Sequence, residues 1–292
     1  MPAPSRNVSS GNSRPVLWAL LATALYAVAA AMSKLALEQF NVLQILFLRQ
    51  LVVLALVLPS LVRAPVPMLS MRQPQLHALR LAGAFLALSC SIWALALLPL
   101  TTAIVLGFSR ALFVPLLAAR FLAEPLTARR IMSLLAGFGG VMIVLRPHME
   151  GFASAAILVP LLGAAGAAIA TVSVRRLSQT HDSQTLLTYQ ALFVGLLAGL
   201  PMFGIWKTPD MASLGLLLAI GLVSTAGQWM GIRALRAGDA SLVAGLDYLS
   251  LVHAAILGLV VFSEIPDPLT LAGAAIIIAS ATILARTGAP RC

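Results

Sequence analysis

Four ionisable side chains interrupt long apolar runs: Arg49, Arg110, Asp247 and His253. Within hydrocarbon a charge costs about 2.5–3.5 kcal/mol on insertion scales, so each demands a reason. Arg110 carries a planar fork able to bond both oxygens of a carboxylate, and Asp247 is its electrostatic complement. The two can pair with each other, or hold the carboxylate and the amine of a small zwitterion. His253 follows Asp247 by six residues. That is about 600° of helix rotation, so the two point roughly 120° apart and do not face one small ligand squarely. Imidazole can both accept and donate a proton, so His253 can relay a proton alongside Asp247, or simply bond a neighbouring helix. Arg49 stands near the start of its run, close enough to an interface to snorkel, which suits a structural role at the lipid surface or between helices.

Softer signals come from Tyr26, Trp93, Gln228, Trp229 and Tyr248, which are candidates for lining a binding cavity. Ser89 and Trp93 share a helix face at i,i+4, as do Ser224 and Gln228. Tyr26 and Tyr248 fall near the middle of their runs, where a hydroxyl needs a partner; core packing is the alternative for both. Trp18 and Trp206 sit at run ends and read as interfacial belt residues.

The elements that must position these residues follow from composition. Of 292 residues 60% are hydrophobic and 10% charged, and the mean hydropathy is +0.99. A soluble domain needs roughly a quarter of its residues charged to face water. This chain has too few, and only lipid can solvate so much apolar surface, provided that every backbone polar group is paired internally. The long apolar runs call for helices of about 20 residues rather than the short alternating strands of a barrel. The net charge of +10 forms no basic tract, so it reads as a topology determinant rather than a nucleic-acid footprint. Cys90 and Cys292 offer no disulfide framework.

Breakers divide the chain into ten predicted spans: 16–36, 42–62, 77–97, 99–121, 127–145, 153–175, 185–205, 212–234, 239–262 and 268–286. With the amino terminus placed in the cytoplasm, fourteen of the 19 Lys and Arg fall inside. Only Lys34, Arg146 and Lys207 fall outside, and Arg49 and Arg110 lie within spans. This positive-inside bias puts both termini in the cytoplasm of a multi-pass protein of the cytoplasmic (inner) membrane. Residues 1–15 and 287–292 read as tails flanking a first half, 16–146, and a second half, 147–286.

The halves echo each other. Phe121-Leu122-Ala123-Glu124-Pro125-Leu126-Thr127 and Val261-Phe262-Ser263-Glu264-Ile265-Pro266-Asp267 stand 140 residues apart, each before a span rich in small residues. Trp93 to Leu97 parallels the segment from Trp229 to Leu235. Five spans per half is odd, so the halves must run in opposite senses, as in alternating-access carriers with a midplane site. The spans bearing Arg110 and Asp247 are counterparts, and their middles should approach each other.

Ten spans, two halves and an acidic turn after the fourth span resemble the drug/metabolite transporter superfamily, specifically its EamA-type members. Lys34 closing the first span and Leu48-Arg49-Gln50 opening the second also look like that family. The second-half turn departs from the pattern, since Pro266 and Asp267 precede Leu269-Thr270. The resemblance covers residues 16–286 and implies an all-α basket in which spans 1, 3, 4, 6, 8 and 9 enclose a cavity. It also implies export of amino acids or related small metabolites; nucleoside-like or cationic cargo is the alternative. Enzyme readings lack parts: HExxH, Walker and Gly-x-Ser-x-Gly patterns are absent, as is any Cys/His cluster. The expected partners are a small-molecule substrate and membrane lipid, with no cofactor, metal or nucleic acid, in a monomer or weak homodimer.

Overall fold

The computed structural model describes residues 14–63, 73–122, 128–145, 153–177, 183–237 and 249–287. All regular structure among the described residues is helical. In order, the helices are α1 (Arg14–Ala36), α2 (Val42–Arg63), α3 (Pro74–Leu97), α4 (Leu100–Gly107), α5 (Arg110–Leu122) and α6 (Ala128–Leu145). They continue with α7 (Ala153–Leu177), α8 (Ser183–Gly199), α9 (Met202–Ile205), α10 (Met211–Ala237), α11 (Leu249–Phe262) and α12 (Pro268–Thr287).

Among the described residues, five stretches are long and apolar enough to cross a membrane: Val16–Ala36, Pro74–Leu97, Leu100–Phe121, Ala156–Val174 and Met211–Gly231. Shorter apolar segments accompany them in α2, α6, α8, α11 and α12. The outer surface is apolar too: Met132, Leu135, Leu196, Phe203 and Val260 are each exposed. In water such a surface would aggregate; in lipid it is the solvated face. The protein is a multi-pass, all-helical membrane protein.

Local chemistry sets the ends. The Asn41 side chain accepts the Leu43 N–H at 3.0 Å where α2 begins. Asp267 accepts the Leu269 and Thr270 N–H groups at 3.1 and 3.2 Å, with Pro268 as the first helical residue of α12. Pro266-Asp267, the departure from the first-half turn, therefore brings α12 its own cap. The span predicted at 99–121 is interrupted. Around residues 109–112, the Ser109, Ala111 and Leu112 N–H groups all bond three residues back, to Leu106, Phe108 and Ser109. This tightened turn separates α4 from α5. Pro115 lies just beyond it; lacking an N–H and crowding the carbonyl four residues earlier, it favours a bend there.

Packing between helices is reciprocal. α3 packs on α7, and α1 on α10; α5 packs on α7, and α1 on α11; α2 packs on α10, and α3 on α8. α6 packs on α12, α2 on α8 and α4 on α11. Exchanging each first-half helix for its counterpart about 140 residues away turns every one of these pairs into another, or into itself. One apolar core joins α1, α2, α3, α8 and α10, and a second joins α4, α5, α6, α11 and α12. A third, built from Ala31, Ala94, Leu95, Leu100, Ala103 and Ala254, bridges α1, α3, α4 and α11.

Candidate functional site

Above that bridging core lies an ionic node. Lys34, in the last turn of α1, forms an ion pair with Glu264 Oε1, in the connection from α11 to α12. Lys34 Nζ also donates to the Leu98 carbonyl at 3.3 Å, and the Leu100 N–H donates to Glu264 Oε2 at 2.8 Å. The Phe262 ring lies under the ammonium, 5.0 Å from its centroid. Each partner also suits its helix end, a cation at the C-terminus of α1 and a carboxylate at the first residue of α4. Two peptide groups that the α3–α4 junction leaves without helical partners are thereby satisfied.

Arg110 opens α5 at the interruption and is exposed, its guanidinium 5.8 Å from the Phe108 ring centroid. Beside it the Ser109 hydroxyl is fully buried and has no hydrogen-bond partner among the described residues. α4 packs on α11, so the two spans touch in the part of the first that precedes Arg110. Asp247 and Tyr248 lie outside the described residues. His253 is half-buried on α11, and its buried Nδ1 has no partner among the described residues.

Tyr26 is exposed on α1, against Gly227 of α10 and within electrostatic reach of Arg49 on α2. Arg49 is half-buried on α2. Gln228 is half-buried and Trp93 exposed. Trp229 is exposed too, with the Arg233 guanidinium 3.8 Å from its ring centroid and 5.3 Å from that of Trp18. That cluster ties the start of α1 to the end of α10. None of these candidates lines the apolar groove of about 450 Å³ between α3 and α8, which is walled by Leu81, Tyr189, Leu192, Phe193 and Leu196. No metal-binding group of His, Cys, Asp or Glu occurs among the described residues.

The EamA-like transporter family model matches residues 13–146 and again 154–286. The chain belongs to the EamA-like transporter family. Its two matched segments coincide with the halves whose helices exchange in the packing. This EamA-like protein is similar to the pseudopaline exporter CntI of Pseudomonas aeruginosa (strain UCBPP-PA14), 33% identical over 93% of this chain and 96% of the relative. It is 30% identical to the S-adenosylmethionine uptake transporter of Rickettsia bellii (strain RML369-C), over 89% of each. Identity to the riboflavin transporter of Vibrio cholerae serotype O1 is 28%, over 92% of this chain and 91% of the relative. A solved crystal structure with 18% identity superposes with a TM-score of 0.65, covering 97% of this chain and all of the other; it bears on the fold alone. The family is one of transporters rather than enzymes, and its named members carry varied small molecules.

The ionic node of this EamA-like transporter was missed by sequence reasoning, which took Lys34 for a topology charge. A signal was available: Glu264 belongs to the repeated turn, and alternation of spans puts Lys34, residues 98–100 and Glu264 on one side. Arg80 was likewise read as a cytoplasmic charge. It is buried in α3, where its Nη2 donates to the Leu186 carbonyl at 2.9 Å.

Proposed function

We propose that this chain is a secondary transporter of small zwitterionic metabolites, amino acids and their derivatives among them, which it exports across the cytoplasmic membrane. Its ten spans form two inverted five-helix halves that rock about a midplane site, with both termini cytoplasmic. The observation that carries the reading is the reciprocity of packing, in which α3 on α7 answers α1 on α10. Two near-equivalent halves allow two near-equivalent arrangements, open to either side, as alternating access requires. Arg110 and Asp247 take the carboxylate and amine of the substrate. Tyr26, Trp93, Gln228, Trp229 and Tyr248 enclose it, and Asp247 and His253 couple its movement to protons. Exposure of Arg110 at a helix interruption supports this role, since irregular backbone at membrane depth is tolerated where it is packed in protein or lines a water-filled cavity.

Export is supported by the relative named as an exporter, and an amino-acid moiety by the relatives named for S-adenosylmethionine. Those same relatives and the riboflavin transporter favour a second reading, nucleoside-like or cationic cargo. Purified protein in liposomes decides. Counterflow of labelled amino acids, accelerated by an imposed pH gradient, is expected. Counterflow of nucleosides alone would select the second reading, and no flux of either class would remove the carrier function.

A further inference from the structure

The geometry points to a specific device: the Lys34–Glu264 ion pair is a latch that closes one mouth of the carrier and opens once in every transport cycle. The role rests on the carrier reading above. Lys34 belongs to the first matched segment and Glu264 to the second, 230 residues away. Motion of one half against the other must therefore stretch or release this contact.

Three features suit a latch better than a permanent tie. First, the side chains are 17% and 23% exposed. Both stand at helix ends, Lys34 in the last turn of α1 and Glu264 beyond α11, so separating the charges at that interface does not strand either in hydrocarbon, and the pair opens far more easily than a fully buried one. Second, it caps a seal. Directly beneath lie Leu100, Ala103, Ala254 and buried Thr101, whose hydroxyl oxygen stands 3.6 Å from where a Cβ on Gly258 would project. Small residues there let α4 and α11 meet closely when the latch is shut.

Third, the backbone that aims Glu264 is strained. Ser263 adopts φ 55°, a left-handed conformation that residues other than glycine rarely take. The turn returns the Glu264 N–H to the Gly258 carbonyl at 2.9 Å and the Ser263 N–H to Leu259 at 3.1 Å. Helices that end this way usually place glycine at the left-handed position. Here serine holds it, and the carboxylate swings back over α11 towards Lys34. Strain of this kind persists where the surrounding structure enforces it, and it clusters at switch regions.

The test replaces the two native cysteines (Cys90→Ala, Cys292→Ser) and introduces Thr101→Cys under the latch. A membrane-impermeant maleimide then reads opening at this mouth without any substrate. Glu264→Gln keeps an acceptor for the Leu100 N–H but removes the charge, and Lys34→Met removes its partner. Both should raise the labelling rate about fivefold or more, the lower end of ordinary coupling energies. Unchanged labelling in both overturns the latch. In the same background with Thr101 intact, Lys34→Cys/Glu264→Cys is bridged with a bifunctional reagent containing a reducible spacer. Transport should stop when the bridge forms and return on reduction. Transport that continues across the bridge also overturns the proposal, because the contact then never needs to open. A wild-type protein that moves no substrate would instead sink the carrier reading, while the labelling rates still report whether the mouth opens.

Discussion

Gly83 of α3 and Gly166 of α7 face each other so closely that a Cβ built on either would stand 2.8 Å from the carbonyl oxygen of the other. The contact is backbone against backbone, and only glycine permits it on both sides. In lipid there is no hydrophobic drive to hold helices together, so close approach of this kind supplies the packing energy. Gly140 is similarly placed, 2.9 Å from the Gly273 carbonyl of α12 for an added Cβ. Replacing Gly166 with valine should wedge α3 from α7 and destabilise the protein by about 1–3 kcal/mol, as overpacking does elsewhere. Gly139→Ala, which meets nothing within 4 Å, should leave the melting temperature unchanged or raise it. Thermal unfolding of the detergent-solubilised variants, followed by fluorescence-detected gel filtration, gives the comparison.

Arg110 should matter for transport and little for folding, because its guanidinium is exposed and, among the described residues, lies only over the Phe108 ring. Arg110→Gln is expected to insert and melt like the wild type while losing about tenfold or more in substrate affinity, the scale of one charge-assisted hydrogen bond. Arg110→Lys should fall between them, since an ammonium lacks the fork. Transport by Arg110→Gln at the wild-type rate and affinity would remove this residue from the site.

Gln44 fastens the loop before α10 to the start of α2. Its fully buried amide donates to the Lys207 carbonyl at 2.6 Å and accepts the Lys207 N–H at 3.2 Å. Gln44→Ala leaves both peptide groups without these partners, at a cost of about 1–3 kcal/mol. The expected readout is a lower melting temperature with unchanged substrate affinity. A change in affinity without loss of stability would mean that the loop acts on the site.

Asp210 caps α10, accepting the Ser213 N–H at 2.8 Å. The Ser213 hydroxyl, shared with Gln39, and this N–H hold the carboxyl below its ordinary value of 3.8. A depressed carboxyl stabilises the fold above its unfolded pKa, and the benefit disappears as pH falls through the folded value. Asp210→Ala should therefore melt below the wild type at neutral pH, with the gap narrowing under strongly acidic conditions. Melting curves across that range, at low salt, check both the sign and the window.

Much of the architecture was readable because lipid imposes a strong rule. A backbone without water must pair its own polar groups, and long apolar runs do so as helices, so the runs and their breakers mark the elements. The run predicted at 42–62 is α2 at Val42–Arg63, and the run at 212–234 lies within α10 at Met211–Ala237. The candidate site was less readable. Arg110 stood out as a charge amid apolar residues, but the interruption that exposes it arises from the backbone bonds at Ser109, Ala111 and Leu112. Pro115 hinted at a bend without locating it. Trp229 and Gln228 are adjacent in sequence, yet one stacks on Arg233 while the other is half-buried. One residue of helix is about 100° of rotation, enough to change every neighbour.

Hydropathy and the repeated turn thus mark a helical membrane protein in two related halves, since these are properties of segments and survive any detail of packing. Pairing is different. Lys34 and Glu264 meet across 230 residues only because α1, α4 and α11 converge on one apolar core, and because Ser263 turns the chain back on itself. Composition names the charges, but which of them come within reach is decided by helix rotation and close approach.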